Sequence, residues 1–146
     1  MTQSESSIEI AKPAGAVFAF INDFSQAKSW LESCVELKQT SAGPRAAGST
    51  LHYLYSEGGR SKEMDGVVTA YEKDRTLSMT LKDSQFETGI SFTLEQASAA
   101  TVVKHSIVIV SKGLFGKIMS GLIAAGNRRQ IQNNLSRLKS CVERNP

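Results

Sequence analysis

The chain has little to cross-link it and no stretch apolar enough to carry it through a membrane. It holds two cysteines, Cys34 and Cys141, in 146 residues. They lie far apart and outside any metal-ligand spacing, which excludes a disulfide-stapled scaffold and leaves two buried, reduced thiols as the simplest reading. Two histidines, His52 and His105, have no carboxylate at ligand spacing, so no metal is expected. No apolar run approaches the roughly 18 residues of a membrane-spanning helix. The opening Met1–Ser7 is polar and carries an acid, unlike the apolar core of a signal peptide, so a cytoplasmic location is expected. Gly-x-Ser-x-Gly, a phosphate-binding glycine loop and a dinucleotide fingerprint are all missing, and no cofactor is expected.

What is present describes an ordinary globule. Apolar residues make up 40% of the chain and charged residues 21%. A length of 146 residues suffices for one domain, 1–146, with its own core. The net charge of +3 is unevenly spread: from Lys112 onward there are seven basic residues and one acid, Glu143, while the preceding part is net acidic. Arg128, Arg129, Arg137 and Lys139 would attract an anionic membrane surface, or form the solvated face of a helix whose C-terminal end favours cations. No aromatic residues interleave with them, so no nucleic-acid partner is expected.

Alternation at period two marks seven strands. Ser6–Ala11 places Ile8 and Ile10 on one face, Cys34–Thr40 does so with Val35 and Leu37, and Ser49–Glu57 with Leu51, Tyr53 and Tyr55. Met64–Tyr71 follows a Gly58–Gly59 hairpin turn, its inward face ambiguous because Val67 and Val68 are adjacent. Leu77, Met79 and Leu81 mark the fifth strand. Phe86, Thr88, Ile90, Phe92 and Leu94 mark the sixth, and Thr101, Val103, His105, Ile107 and Ile109 the seventh. Between the first two strands Pro13 opens a short helix carrying Val17, Phe18, Phe20 and Ile21. Ser25–Leu31 gives a second, with Ser25 as N-cap and Trp30 as anchor. These faces assume regular pleating; one bulge flips every residue after it.

Ser111–Arg144 reads as one long helix. Phe115, Met119, Ile123, Ile131 and Leu135 fall on one i+4 row, with Asn127 in the gap and Leu138 and Val142 continuing it. Such a row drifts about 40° per step, so the two halves face opposite ways. Either the sheet wraps the helix, or the helix breaks near Gly126–Asn127, or its first half has another partner. Gly116, Gly121 and Gly126 weaken that half by about 1 kcal/mol each relative to alanine.

Several local patterns carry a family likeness: Ile8-Glu-Ile10; Pro13 with Val17-Phe18-Ala-Phe-Ile-Asn-Asp23 and then Trp30; Gly48 opening the third strand; Gly66-Val-Val-Thr-Ala-Tyr71 with Asp74-Arg-Thr-Leu77; Phe92-Thr-Leu94; Thr101-Val-Val103; and Gly113-Leu-Phe-Gly116 through Leu135-Ser-Arg-Leu-Lys139. In this order they resemble the START/Bet v 1-like (SRPBCC) superfamily, and within it the bacterial polyketide cyclase/dehydrase-like branch. The resemblance implies an α+β helix-grip fold: a seven-stranded curved antiparallel sheet wrapped around a long C-terminal helix, two short helices after strand 1, and a cavity between sheet and helix. Members bind lipids, sterols, polyketides or plant hormones, act as cyclases, or serve as co-chaperone-like partners, and fold alone does not choose among these.

The inward positions are mostly apolar: Val68, Met79, Phe86, Ile90, Phe92, Ile107, Phe115, Met119 and Ile123. Such a lining suits a hydrophobic small molecule oriented by a few polar groups, and Tyr53, Tyr55, Thr88 and His105 are the candidates for those. His105 shares parity with Val103 and Ile107; buried, it is either a hydrogen-bonded core residue or a general base. Tyr53 and Tyr55 are either donors to a ligand carbonyl or amphipathic strand residues. His52 lies on the opposite face, and Glu63 and Asp65 read as solvated. The leading expectation is a catalytically silent module, monomer or homodimer, that binds a lipid-, polyketide- or aromatic-like molecule. One alternative is a cyclase/dehydrase-type enzyme using His105 with Tyr53 or Tyr55. Another is a membrane- or protein-docking module using the basic last helix.

Overall fold

Alternating side chains build seven strands: β1 (Thr2–Ile10), β2 (Cys34–Gln39), β3 (Thr50–Glu57), β4 (Arg60–Glu72), β5 (Thr76–Lys82), β6 (Phe86–Ala97) and β7 (Ala100–Ser111). The computed structural model describes residues 2–111 and 120–144, with side chains for all of these except 120–125. The strands form one antiparallel sheet in the order β1-β7-β6-β5-β4-β3-β2. It is a helix-grip sheet, curled around the C-terminal helix α3 (Ser120–Arg144). The edge strands β1 and β2 are joined by α1 (Ala14–Asn22), a single 3-10 turn (Phe24–Gln26) and α2 (Ala27–Trp30), which carry the chain from one edge to the other.

Local chemistry explains most of the boundaries. β1 begins earlier than its apolar pattern suggests, because Thr2, Ser4 and Ser6 continue the inward set and pair with Ile109, Ile107 and His105 of β7. Gly58 and Gly59 both take positive φ, as a two-residue hairpin loop of the mirror-image type requires. The expected second helix opens as the 3-10 turn, and its cap is Asp23 and not Ser25: the Asp23 carboxylate accepts from the Ser25 amide at 3.1 Å and the Ser25 hydroxyl at 2.6 Å. An aspartate reaches the amide two residues on more readily than a serine does.

Two bulges decide faces that alternation left ambiguous or misread. The shift between Val68 and Ala70 turns both Val68 and Tyr71 inward, where Tyr71 meets Phe18 of α1 edge-on at 5.7 Å. The shift between Cys34 and Glu36 breaks the expected pairing of Val35 with Leu37: Leu37 is buried and Val35 is exposed. Cys34 and Cys141 are free thiols, and both are half-buried where full burial was expected.

Ser111 ends β7 and does not start the last helix, whose expected first turns lie outside the described residues. α3 runs unbroken through Gly126–Asn127, so no break occurs there. Its buried Ile131, Leu135, Leu138 and Val142 join Ile10, Val17, Trp30 and Val103 in the core. The described helix lies against β1 and β7 and touches α1 and α2. Among the described residues, this offset leaves one end of the concave face filled and the other end open.

Candidate ligand-binding cavity

The open end is a cavity of about 420 Å³ between the concave face and α3. Strand register builds its floor. Leu81, Thr88 and Ile109 form one row across β5, β6 and β7, and Ile90 and Ile107 are paired in the next. Met64, Tyr53 and Tyr55 extend the wall onto β4 and β3, and Phe86 continues it at the start of β6. The exposed rim is polar, with Ser33, Ser56, Glu57 and Arg129.

Six of the expected lining residues meet here: Tyr53, Tyr55, Phe86, Thr88, Ile90 and Ile107. Four others, Val68, Met79, Phe92 and His105, do not line it. They face inward as expected but lie buried in the filled end. Val68 and Met79 pair across β4 and β5, and Phe92 is covered by Trp30, edge-on at 5.3 Å. Phe115, Met119 and the side chain of Ile123 lie outside the described residues. The sequence reading missed Met64, Leu81 and Ile109, the rim residues, and Asn127 and Gln130 of α3.

His105 is fully buried, at 0% exposure, and stacks on Phe92 at 4.3 Å. Its Nδ1 lies 3.2 Å from the Ser91 carbonyl, which can only accept, so Nδ1 carries the proton. Nε2 then accepts from Asn134 Nδ2 at 3.1 Å, and Asn134 Oδ1 accepts from the Glu32 amide at 2.8 Å. Burial lowers the imidazole pKa to about 4, opposed in part by the Ser91 hydrogen bond. Both nitrogens are engaged and the ring is neutral.

The two tyrosines differ in their commitments. Their rings stack at 5.3 Å, 12° apart. Burial, then Cys34 and Tyr55, pushes the Tyr53 phenol above its ordinary range. Burial, then Asp83 and Glu57, raises Tyr55 to about 12, and its hydroxyl bonds to Asp83. Both phenols therefore remain protonated at neutral pH. Asn127, 2% exposed, donates from Nδ2 to the Ile107 carbonyl at 3.1 Å, and its Oδ1 has no partner among the described residues.

Away from the cavity, His52 bridges Glu63 at 3.0 Å and Asp65 at 2.9 Å on the convex face, so these acids are paired as well as exposed. Of the basic residues on α3, Lys139 is held by the Glu9 carbonyl at 2.7 Å and Glu143 at 2.9 Å, while Arg128, Arg129 and Arg137 are exposed. Among the described residues no group of three metal-ligating side chains comes together. No described helix is long and apolar enough to cross a membrane.

A family model described as polyketide cyclase/dehydrase and lipid transport matches residues 1–143. No curated protein matches the chain. Solved structures of the same fold include TTHA0849 from Thermus thermophilus, 12% identical with 96% of each chain covered and a TM-score of 0.79. A START superfamily protein from Mycobacterium smegmatis is 14% identical, with 98% of each chain covered and a TM-score of 0.78. The ZhuI aromatase/cyclase from Streptomyces sp. R1128 is 13% identical, with 97% of this chain and 93% of that chain covered and a TM-score of 0.75.

Proposed function

This chain belongs to the polyketide cyclase/dehydrase and lipid-transport family, and we propose that it binds a hydrophobic small molecule in the cavity between the sheet and α3 without transforming it. The observation that carries this reading is the cavity itself. Its apolar walls are Met64, Leu81, Phe86, Ile90, Ile107 and Ile109, with Tyr53, Tyr55, Thr88, Asn127 and Gln130 set among them and a charged and hydroxyl rim at the mouth. Burying an apolar ligand there contributes roughly 25 cal/mol per Å² of apolar surface removed from water.

The cyclase reading draws support from the aromatase/cyclase likeness and from the stacked phenols, which would donate to a developing enolate oxygen. Against it stands His105. A general base needs a free lone pair within reach of the substrate, and here Nε2 is occupied by Asn134 below a filled core.

An environment-sensitive apolar dye tests the binding reading. The expected result is uptake at one dye per chain, abolished by Ile90→Arg with an unchanged far-ultraviolet circular dichroism spectrum. A wild-type protein that takes up no apolar probe would overturn the reading.

A further inference from the structure

Asn127 is out of place for a cavity that reads only apolar surface. It occupies the i+4 row of α3 that otherwise buries Ile131 and Leu135. Its amide orientation is fixed by chemistry: the Ile107 carbonyl can only accept, so the atom facing it at 3.1 Å is Nδ2. That leaves Oδ1 as the unengaged half of the amide, buried and without a donor among the described residues. Asn127 lines the cavity beside Ile107, Ile109 and Gln130. A buried acceptor left unpaired is costly, whereas the same acceptor paired is favourable. A donor brought by the ligand supplies what the described protein does not.

We infer that the ligand carries a hydroxyl or N–H group that donates to Asn127 Oδ1, on an otherwise apolar body. This rests on the binding reading above and narrows it. The preferred class is a neutral alcohol, phenol or amide; a fully capped ether or ester presents only acceptors there. An ionised carboxylate would set oxygen against oxygen at this point. The apolar body lies against Ile90, Ile107 and Ile109, and the polar rim faces whatever remains exposed.

The experiment is isothermal titration of the wild-type protein with 2-naphthol and with its methyl ether, 2-methoxynaphthalene, repeated with Asn127→Leu. The expected result is about tenfold tighter binding of the phenol to wild type, falling to within about twofold in the variant. Both compounds binding wild type alike overturns the donor inference and leaves the cavity reading standing. Neither binding overturns both. A phenol preference that survives in Asn127→Leu also overturns the inference, because the donor is then read elsewhere. The wild-type protein provides a second measurement that does not depend on the variant folding. The side-chain amide resonance of Asn127 is expected to shift on adding the phenol and not the ether, and equal shifts would count against the assignment.

Discussion

The buried imidazole makes stability depend on pH with a sign and a size that can be worked out. His105 is fully buried, with Nδ1 donating to Ser91 and Nε2 accepting from Asn134. Its folded pKa is about 4 against 6.5 for a free histidine. Between those values the unfolded chain binds a proton that the folded chain refuses. Stability therefore rises with pH across this window: the contribution is fully present above 6.5 and is lost as the pH falls toward 4. At about 1.4 kcal/mol for each pH unit of that window, the loss from pH 7.5 to 4.5 is about 2–3 kcal/mol. Carboxylates titrating in the same range act in the same direction, so the test is a difference. His105→Gln keeps hydrogen-bonding capacity and cannot titrate. Urea unfolding followed by the fluorescence of Trp30, the one tryptophan, would be run on both proteins at pH 7.5, 6.5, 5.5 and 4.5. The variant is expected to be the less stable at pH 7.5, with the gap closing by about 2–3 kcal/mol at pH 4.5. A gap that stays constant, or widens as the pH falls, would refute the argument.

Other expectations follow from single contacts. A Cβ on Gly66 would lie 2.2 Å from the Thr80 carbonyl oxygen and 2.6 Å from Leu81 Cδ2, so Gly66→Ala should cost about 3 kcal/mol or more in urea unfolding; a neutral result would mean that β4 and β5 separate easily. Burial, with Glu36 adding to it, holds the Cys34 thiol up at about 11. In a Cys141→Ser background, Cys34 should react with a thiol-specific chromophore at pH 8 about a hundredfold more slowly than a free cysteine, in proportion to its thiolate fraction; equal rates would contradict that burial. Asn134→Leu leaves the Glu32 amide and His105 Nε2 unpaired, and should cost about 2–4 kcal/mol in the same unfolding assay; a loss below about 0.5 kcal/mol would mean that water replaces the asparagine.

Period-two alternation reports which face of a strand is covered, and that much of the fold was legible. It does not report what lies opposite. β6 repeats the same pattern from Phe86 to Leu94, yet Phe92 and Leu94 are buried while Phe86 and Ile90 stand half-buried at the cavity. The difference is set by where α3 rests along the sheet, a tertiary distance that has no trace in the strand itself. The bulges at Cys34/Glu36 and Val68/Ala70 were illegible for a related reason, since each is fixed by the partner strand's register as much as by local residues. The polar residues on the buried face of α3 distinguish its two ends where the apolar ones do not. Asn127 and Asn134 lie seven residues apart, two turns of helix, and both are buried. Apolar residues there would be interchangeable, whereas a buried amide must be matched atom by atom. Asn134 has both ends engaged, by His105 and by the Glu32 amide, and closes the filled half of the grip. Asn127 has one end engaged, by Ile107, and lines the open half. A polar gap in an apolar helical row is therefore where this sequence marks the passage from core to cavity.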